Sequence, residues 1–126
     1  MAPLLRLTPG PRHPITVEPT SGRVRVLLGG RVVADTAAAL TLREASYPPV
    51  QYLPLADVDP EALVDSRHTT YCPYKGKASY WSLRSGDEVA DSAVWTYAEP
   101  YDAVSAIRGH VAFLPDRVDA IEVSAG

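Results

Sequence analysis

A chain of 126 residues, 46% hydrophobic and 21% charged, has room for one domain that buries its own core, so folding requires neither disulfides nor a structural metal. Its single cysteine, Cys72, excludes an internal disulfide and a multi-cysteine zinc ribbon, and an unpaired thiol suits a reducing compartment. The net charge is −3, with 12 basic and 15 acidic residues scattered along the chain, which argues against nucleic acid as a partner.

Arg6, Pro9 and Pro11 interrupt the apolar residues at the N-terminus, so no signal-peptide core forms there. No apolar run approaches the ~20 residues of a membrane span. These features predict a cytoplasmic protein with a flexible N-terminal arm at 1–12 and a single β-rich domain at 13–126. Strong alternation starts after His13: Ile15 and Val17 alternate with Thr16 and Glu18, then Val24, Val26 and Leu28 with Arg25 and Leu27. Gly29-Gly30 then divides this run from Arg31–Asp35, as a tight hairpin turn requires.

Two short strands are expected near Ala39–Glu44 and Val50–Pro54, separated by Tyr47-Pro48-Pro49. Asp59-Pro60-Glu61 reads as the start of a short helix, with an N-cap, a proline at the first position and an acid near the positive dipole end. A second hairpin joins Ala78–Arg84 to Glu88–Tyr97 through Ser85-Gly86-Asp87. It matches the first hairpin at a shift of 56 positions, Gly30 falling on Gly86 and Val33-Ala34-Asp35 on Val89-Ala90-Asp91. The match fits either an old duplication or two hairpins meeting the same turn requirements. A second short helix is expected over Tyr101–Arg108, and final strands near Val111–Leu114 and Ala120–Val123. Strands outnumber helices, so the expected architecture is mainly β: a roll built from hairpins, with two short helices.

Chemistry concentrates between Arg67 and Lys77. His68, Cys72 and Lys75 lie within eight residues, flanked by Tyr71 and Tyr74. A nearby cation favours a nucleophilic thiolate, with His68 as base and Lys75 holding an anion. The opposing reading makes Cys72 a small buried hydrophobe at a strand end. Glu44 ends an alternating run whose Leu40 and Leu42 should face inward. Its carboxylate then either meets water at the mouth of a pocket, as acid or base, or pairs with a cation such as Arg43, Lys75 or Lys77, against the plain reading of a solvated strand-end acid. Tyr47, Tyr52, Tyr71, Tyr74, Trp95 and Tyr97 offer rings with polar edges, suited either to pocket walls or to half-buried strands. Phosphate-loop, dinucleotide-loop and nucleophile-elbow patterns are missing, and the three histidines stand far apart, so no cofactor and no metal is expected.

Arg43-Glu44-Ala45-Ser46-Tyr47-Pro48-Pro49-Val50-Gln51-Tyr52-Leu53-Pro54, then His68-Thr69-Thr70-Tyr71-Cys72-Pro73-Tyr74-Lys75-Gly76, then Ala93-Val94-Trp95-Thr96-Tyr97, resemble the family catalogued as domain of unknown function 427. The resemblance extends from about His13 to Val123. It implies a small β-rich protein of the kind found in bacteria and fungi, with a fold sometimes called a β-tent. It also implies a pocket lined by the Glu44 strand, the Cys72–Lys75 turn and the Trp95–Tyr97 strand. Some members carry a nucleotidyltransferase label, which no motif of this chain supports. Zinc on paired cysteines, known in related β-tents, does not transfer to a chain with Cys72 alone.

Three functions stay open. The first is a small-molecule enzyme or binder with Glu44, Cys72, Lys75 and His68 in a pocket walled by tyrosine and tryptophan. The second is a non-catalytic ligand-binding or protein-interaction module, with a second copy of the chain among its candidate partners. The third is nucleotidyl transfer, which would need carboxylates such as Asp57, Asp59 and Asp65 to converge on Mg²⁺.

Overall fold

The computed structural model describes residues 4–125. Its strands are β1 (Ile15–Pro19), β2 (Arg23–Leu28), β3 (Arg31–Thr36), β4 (Leu40–Glu44), β5 (Val50–Pro54), β6 (Leu63–Cys72), β7 (Gly76–Ser85), β8 (Glu88–Thr96), β9 (His110–Phe113) and β10 (Ala120–Ser124). They form a seven-stranded sheet in the order β1-β4-β5-β9-β8-β7-β6 and a three-stranded sheet in the order β10-β2-β3. The strand pairs are antiparallel, and the fold is mainly β as expected.

Alternation along the strands explains two separate cores. On β5, Leu53 belongs to a cluster with Val24, Val26, Leu83, Val94 and Val111, between the small sheet and one face of the large one. Its neighbour Tyr52 points the other way, into a cluster with Leu42, Ala78, Tyr97, Ile107 and Ala112. Both faces of the large sheet are therefore covered, and the second cluster lies beneath the Asp102–Ile107 segment. Leu53, Val24, Val26 and Leu83 are all 0% exposed, so burying them supplies much of the stability, at about 25 cal/mol per Å² of apolar surface.

The β2–β3 turn is Gly29-Gly30, with φ of +60° and +74°. Two consecutive positive values are what a two-residue primed turn demands. Packing adds a second requirement at Gly29, where a Cβ would lie 3.1 Å from both the Ser85 carbonyl oxygen and Glu88 Cγ. The tips of the two hairpins thus touch, but the hairpins are not superposable repeats. Their turns, Gly29-Gly30 and Gly86-Asp87, are offset by 57 positions and not 56. Val33 is buried, whereas its sequence counterpart Val89 is exposed.

Both expected helices form only 3₁₀ turns. Asp59 does cap the first, its carboxylate accepting from the Glu61 N–H at 3.0 Å, but the turn spans Pro60–Ala62 and β6 begins at once. The second, Asp102–Ile107, is interrupted at Val104, whose φ of −125° is not helical. No helix among the described residues is long and apolar enough to cross a membrane.

The strand β6 was not evident from sequence. From Arg67 to Thr70 its side chains are all exposed, and its pairing with β7 slips between Asp65 and Thr69, as suits an edge strand. Of the expected arm, residues 4–12 lie along the β6–β7 turn. The Leu7 N–H donates to the Pro73 carbonyl at 2.9 Å, the Tyr71 hydroxyl donates to the Leu5 carbonyl at 2.7 Å, and the Arg6 guanidinium sits 4.0 Å over the Tyr101 ring. Residues 1–3 of that arm lie outside the described residues.

Candidate functional site

Glu44 ends β4, and three local features fix its carboxylate. Leu42 is buried two residues back on the same face, so alternation turns Glu44 towards the second core cluster. Beyond it the chain reverses sharply: Ala45 takes a φ of +47°, its N–H donating to the Pro14 carbonyl at 2.8 Å. Antiparallel pairing sets Ile15 of β1 opposite Glu44, which brings His13, just before β1, alongside the carboxylate.

Two side chains engage the carboxylate, one at each oxygen. The Lys75 ammonium donates to Oε1 in a short contact, and His13 Nε2 lies 2.7 Å from Oε2. Lys75 sits in the Pro73-Tyr74-Lys75 turn that closes the β6–β7 hairpin, followed by Gly76 at a φ of +113°. Its N–H donates to the Cys72 carbonyl at 3.2 Å, and its own carbonyl accepts from the Tyr101 N–H at 3.0 Å. Only 8% of Lys75 is exposed, and Glu44 compensates the burial of its ammonium. His13 stacks flat on Tyr74, ring centres 4.0 Å apart and planes 4° from parallel, with Tyr47 edge-on at 6.5 Å.

Glu44 and Lys75 are among the residues lining a cavity of about 240 Å³. Its walls are aromatic and aliphatic: Tyr47, Tyr52, Tyr80, Trp95 and Tyr97, with Leu42, Pro48, Val50 and Leu114. Inside, the Trp95 indole N–H donates to the Tyr52 hydroxyl at 3.2 Å, the rings meeting edge to face. Tyr80 is tied to Thr70 at 3.0 Å. Among the described residues the Tyr97 hydroxyl, on the cavity wall, has no hydrogen-bond partner. Burial pushes both Tyr52 and Tyr97 well above the usual phenol range, so both stay protonated donors.

At Glu44 burial acts to raise the carboxyl, but the hydrogen bonds of Lys75 and His13 and the charge of Lys75 outweigh it and hold the group below the usual range. A carboxylate so depressed stabilises the fold above its unfolded value of about 4.3 and loses that contribution as pH falls through the folded value. Urea unfolding should therefore show the wild type weakening from roughly pH 5 downwards more steeply than Glu44→Gln. Parallel pH profiles for the two proteins would mean that the ion pair does not form.

The cavity joins Glu44 and Lys75 with Tyr47, Tyr52, Trp95 and Tyr97. Other residues singled out from sequence lie elsewhere. Cys72 is half-buried and packs against the second core cluster, outside the set of cavity-lining residues. His68 is exposed on β6, its ring tilted against the outer side of Tyr80 at 4.5 Å. Tyr71 pairs with the Tyr101 hydroxyl at 2.7 Å beneath the arm, and that hydrogen bond helps push its phenol up to about 12. Tyr74 supports His13 and does not line the cavity.

Sequence reasoning missed His13 as a site residue, together with Tyr80 and the aliphatic walls. Nothing local marks His13, because its contact with Glu44 spans 31 residues and exists only once β1 pairs with β4. The acids considered for metal-assisted transfer do not converge. Asp57 accepts from the Thr36 hydroxyl at 2.7 Å, Asp59 caps its turn, and Asp65 is exposed on β6. Among the described residues no group of three or more histidine, cysteine or acidic side chains is gathered for a metal ion.

The model of a protein family described as a domain of unknown function (DUF427) matches residues 16–124, and the chain belongs to that family. No curated protein matches it.

Proposed function

From that membership, which carries no activity with it, we propose that the protein binds a small organic molecule in the Glu44–Lys75 cavity. The molecule would have an apolar, largely planar body and at least one acceptor oxygen. The observation that carries this reading is the ion pair in the wall of a cavity otherwise lined by aromatic and aliphatic side chains. A buried pair is a poor way to gain stability, since desolvation offsets most of its Coulombic attraction. At the wall of a cavity it supplies a fixed dipole and spare donors where a ligand would sit. Lys75 has three N–H donors and Glu44 engages one of them. The others, with the hydroxyl of Tyr97, suit a carbonyl or carboxylate oxygen.

In the catalytic form of this reading, Glu44 exchanges a proton with the bound molecule and His13 links that proton to solvent. The hydrogen bond between His13 and Glu44 favours this form, since His13 also lines an open groove with Thr8, Gly10 and Arg12. Cys72 and His68 take no part in it.

Titration with small aromatic amides and carboxylates, followed at the Trp95 indole N–H by NMR, tests the reading. Saturable shifts are expected in the wild type. Lys75→Met should weaken binding at least about tenfold, the loss of one charge-assisted hydrogen bond. Equal affinity in Lys75→Met and the wild type would contradict the proposal.

A further inference from the structure

The donors and charges around Glu44 narrow the ligand class, on the premise that the cavity is a binding site. Glu44 Oε1 accepts from Lys75 and Oε2 is engaged by His13. Beside the Glu44 carboxylate itself, the polar groups lining the cavity are donors: the remaining ammonium hydrogens of Lys75 and the hydroxyl of Tyr97, while the Tyr52 hydroxyl, already accepting from Trp95, has its own hydrogen free. A site rich in donors and short of acceptors matches a carboxylate.

Charge sets a condition on that match. Glu44 and Lys75 cancel, so a carboxylate placed beside Lys75 also meets the negative Glu44 at close range. One added positive charge removes the conflict. Histidine is the side chain suited to supply it between pH 5 and 8. His13 touches Glu44 directly, and its side chain is 25% exposed, so a proton can reach it from water. Its surroundings tolerate the cation. Glu44 lies at Nε2, the Tyr74 ring is stacked face to face at 4.0 Å, and Tyr47 is edge-on. The opposing charges are Lys75, beyond Glu44, and Arg12, which borders the open groove next to His13. An aromatic face held against an imidazolium is favourable.

We propose that the cavity takes its ligand as a carboxylate and that binding draws one proton from water onto His13. The net charge of the site thereby stays matched: Lys75 and His13 positive, Glu44 and the ligand negative. His13 is a positioning and charge-balancing residue that acts through Glu44 without touching the ligand.

Isothermal titration calorimetry with benzoate, and with benzamide as its neutral analogue of the same shape, tests this in buffers of differing ionisation enthalpy. Benzoate should bind more tightly than benzamide. Its apparent enthalpy should vary with the buffer by close to one proton taken up. Its affinity should fall about tenfold per pH unit wherever His13 is neutral in the free protein. In His13→Gln the buffer dependence should vanish and the pH profile flatten. Benzoate binding without proton uptake, or uptake that survives His13→Gln, overturns the proposal. So does benzamide binding as tightly as benzoate. Benzamide binding alone overturns the carboxylate assignment and leaves the cavity reading standing, whereas silence from both, and from the wider set of amides and carboxylates, sinks the two together.

Discussion

Splitting the Glu44–Lys75 pair should destabilise the protein by about 2–3 kcal/mol, whichever partner is removed. Glu44→Gln leaves an ammonium with only 8% residue exposure facing a neutral amide. Lys75→Met leaves the carboxylate with His13 alone. Breaking a fully buried pair costs about 3–5 kcal/mol; here each side chain keeps roughly a tenth of its surface at a cavity wall, which lowers the figure. The melting temperature should fall by roughly 8–12 °C in each single variant. The double variant Glu44→Gln/Lys75→Met should be more stable than either single one, because no orphaned charge remains. Additive losses across this cycle would show that the two groups do not depend on each other. Binding separates from stability here: the double variant, though refolded in stability, should still fail to hold a carboxylate.

Leu53→Ala should cost about 2–5 kcal/mol, the range for emptying a fully buried leucine site. Leu53 is 0% exposed and pairs with Val111 between the two sheets. Its removal leaves a cavity lined by Val24, Val94 and other members of the first cluster, none of which can easily collapse inward. Because Leu53 faces away from Tyr52, the Glu44–Lys75 cavity should survive, with the affinity for the proposed ligand changed less than threefold below the melting transition. Denaturant unfolding measures the first effect and ligand titration the second. A loss under about 1 kcal/mol would mean that the small sheet does not seal this face.

The contrast between these two residues shows what the sequence could carry. Strict alternation placed Leu42 and Glu44 on one face, and Gly29-Gly30 marked a turn that needs positive φ at both positions. Local signals of that kind act within a few residues and were legible. Capping chemistry was legible too: Asp59 caps as its position suggests, yet the helix stops after three residues because the chain enters β6 at Leu63. Tertiary pairing overrode the helical start there. The Val104 kink did the same to the second expected helix.

What could not be read depends on pairing at long range. Edge strand β6 has no buried alternation to reveal it, since Arg67 to Thr70 all face solvent. The pairing of β5 with β9 brings Leu53 beside Val111 across half the chain. His13 enters the site only through the β1–β4 register and the turn in which its N–H donates to the Gly10 carbonyl at 2.9 Å. Crowding along the sequence does not carry over into space. Cys72, His68 and Lys75 are close along the chain, but β6 sends His68 outward and Cys72 into packing, while the turn carries Lys75 to Glu44.

A crystal structure of the protein soaked with benzoate would show whether a small molecule lies against Lys75 in the Tyr97–Trp95 cavity. A carboxylate oxygen is expected within hydrogen-bonding distance of Lys75 Nζ, with the ring between the side chains of Tyr97 and Tyr47. Trp95 and Val50 also border a separate apolar groove with Phe113 and Ile121. Benzoate seated in that groove, with the Lys75 cavity holding only water, would overturn the proposed site.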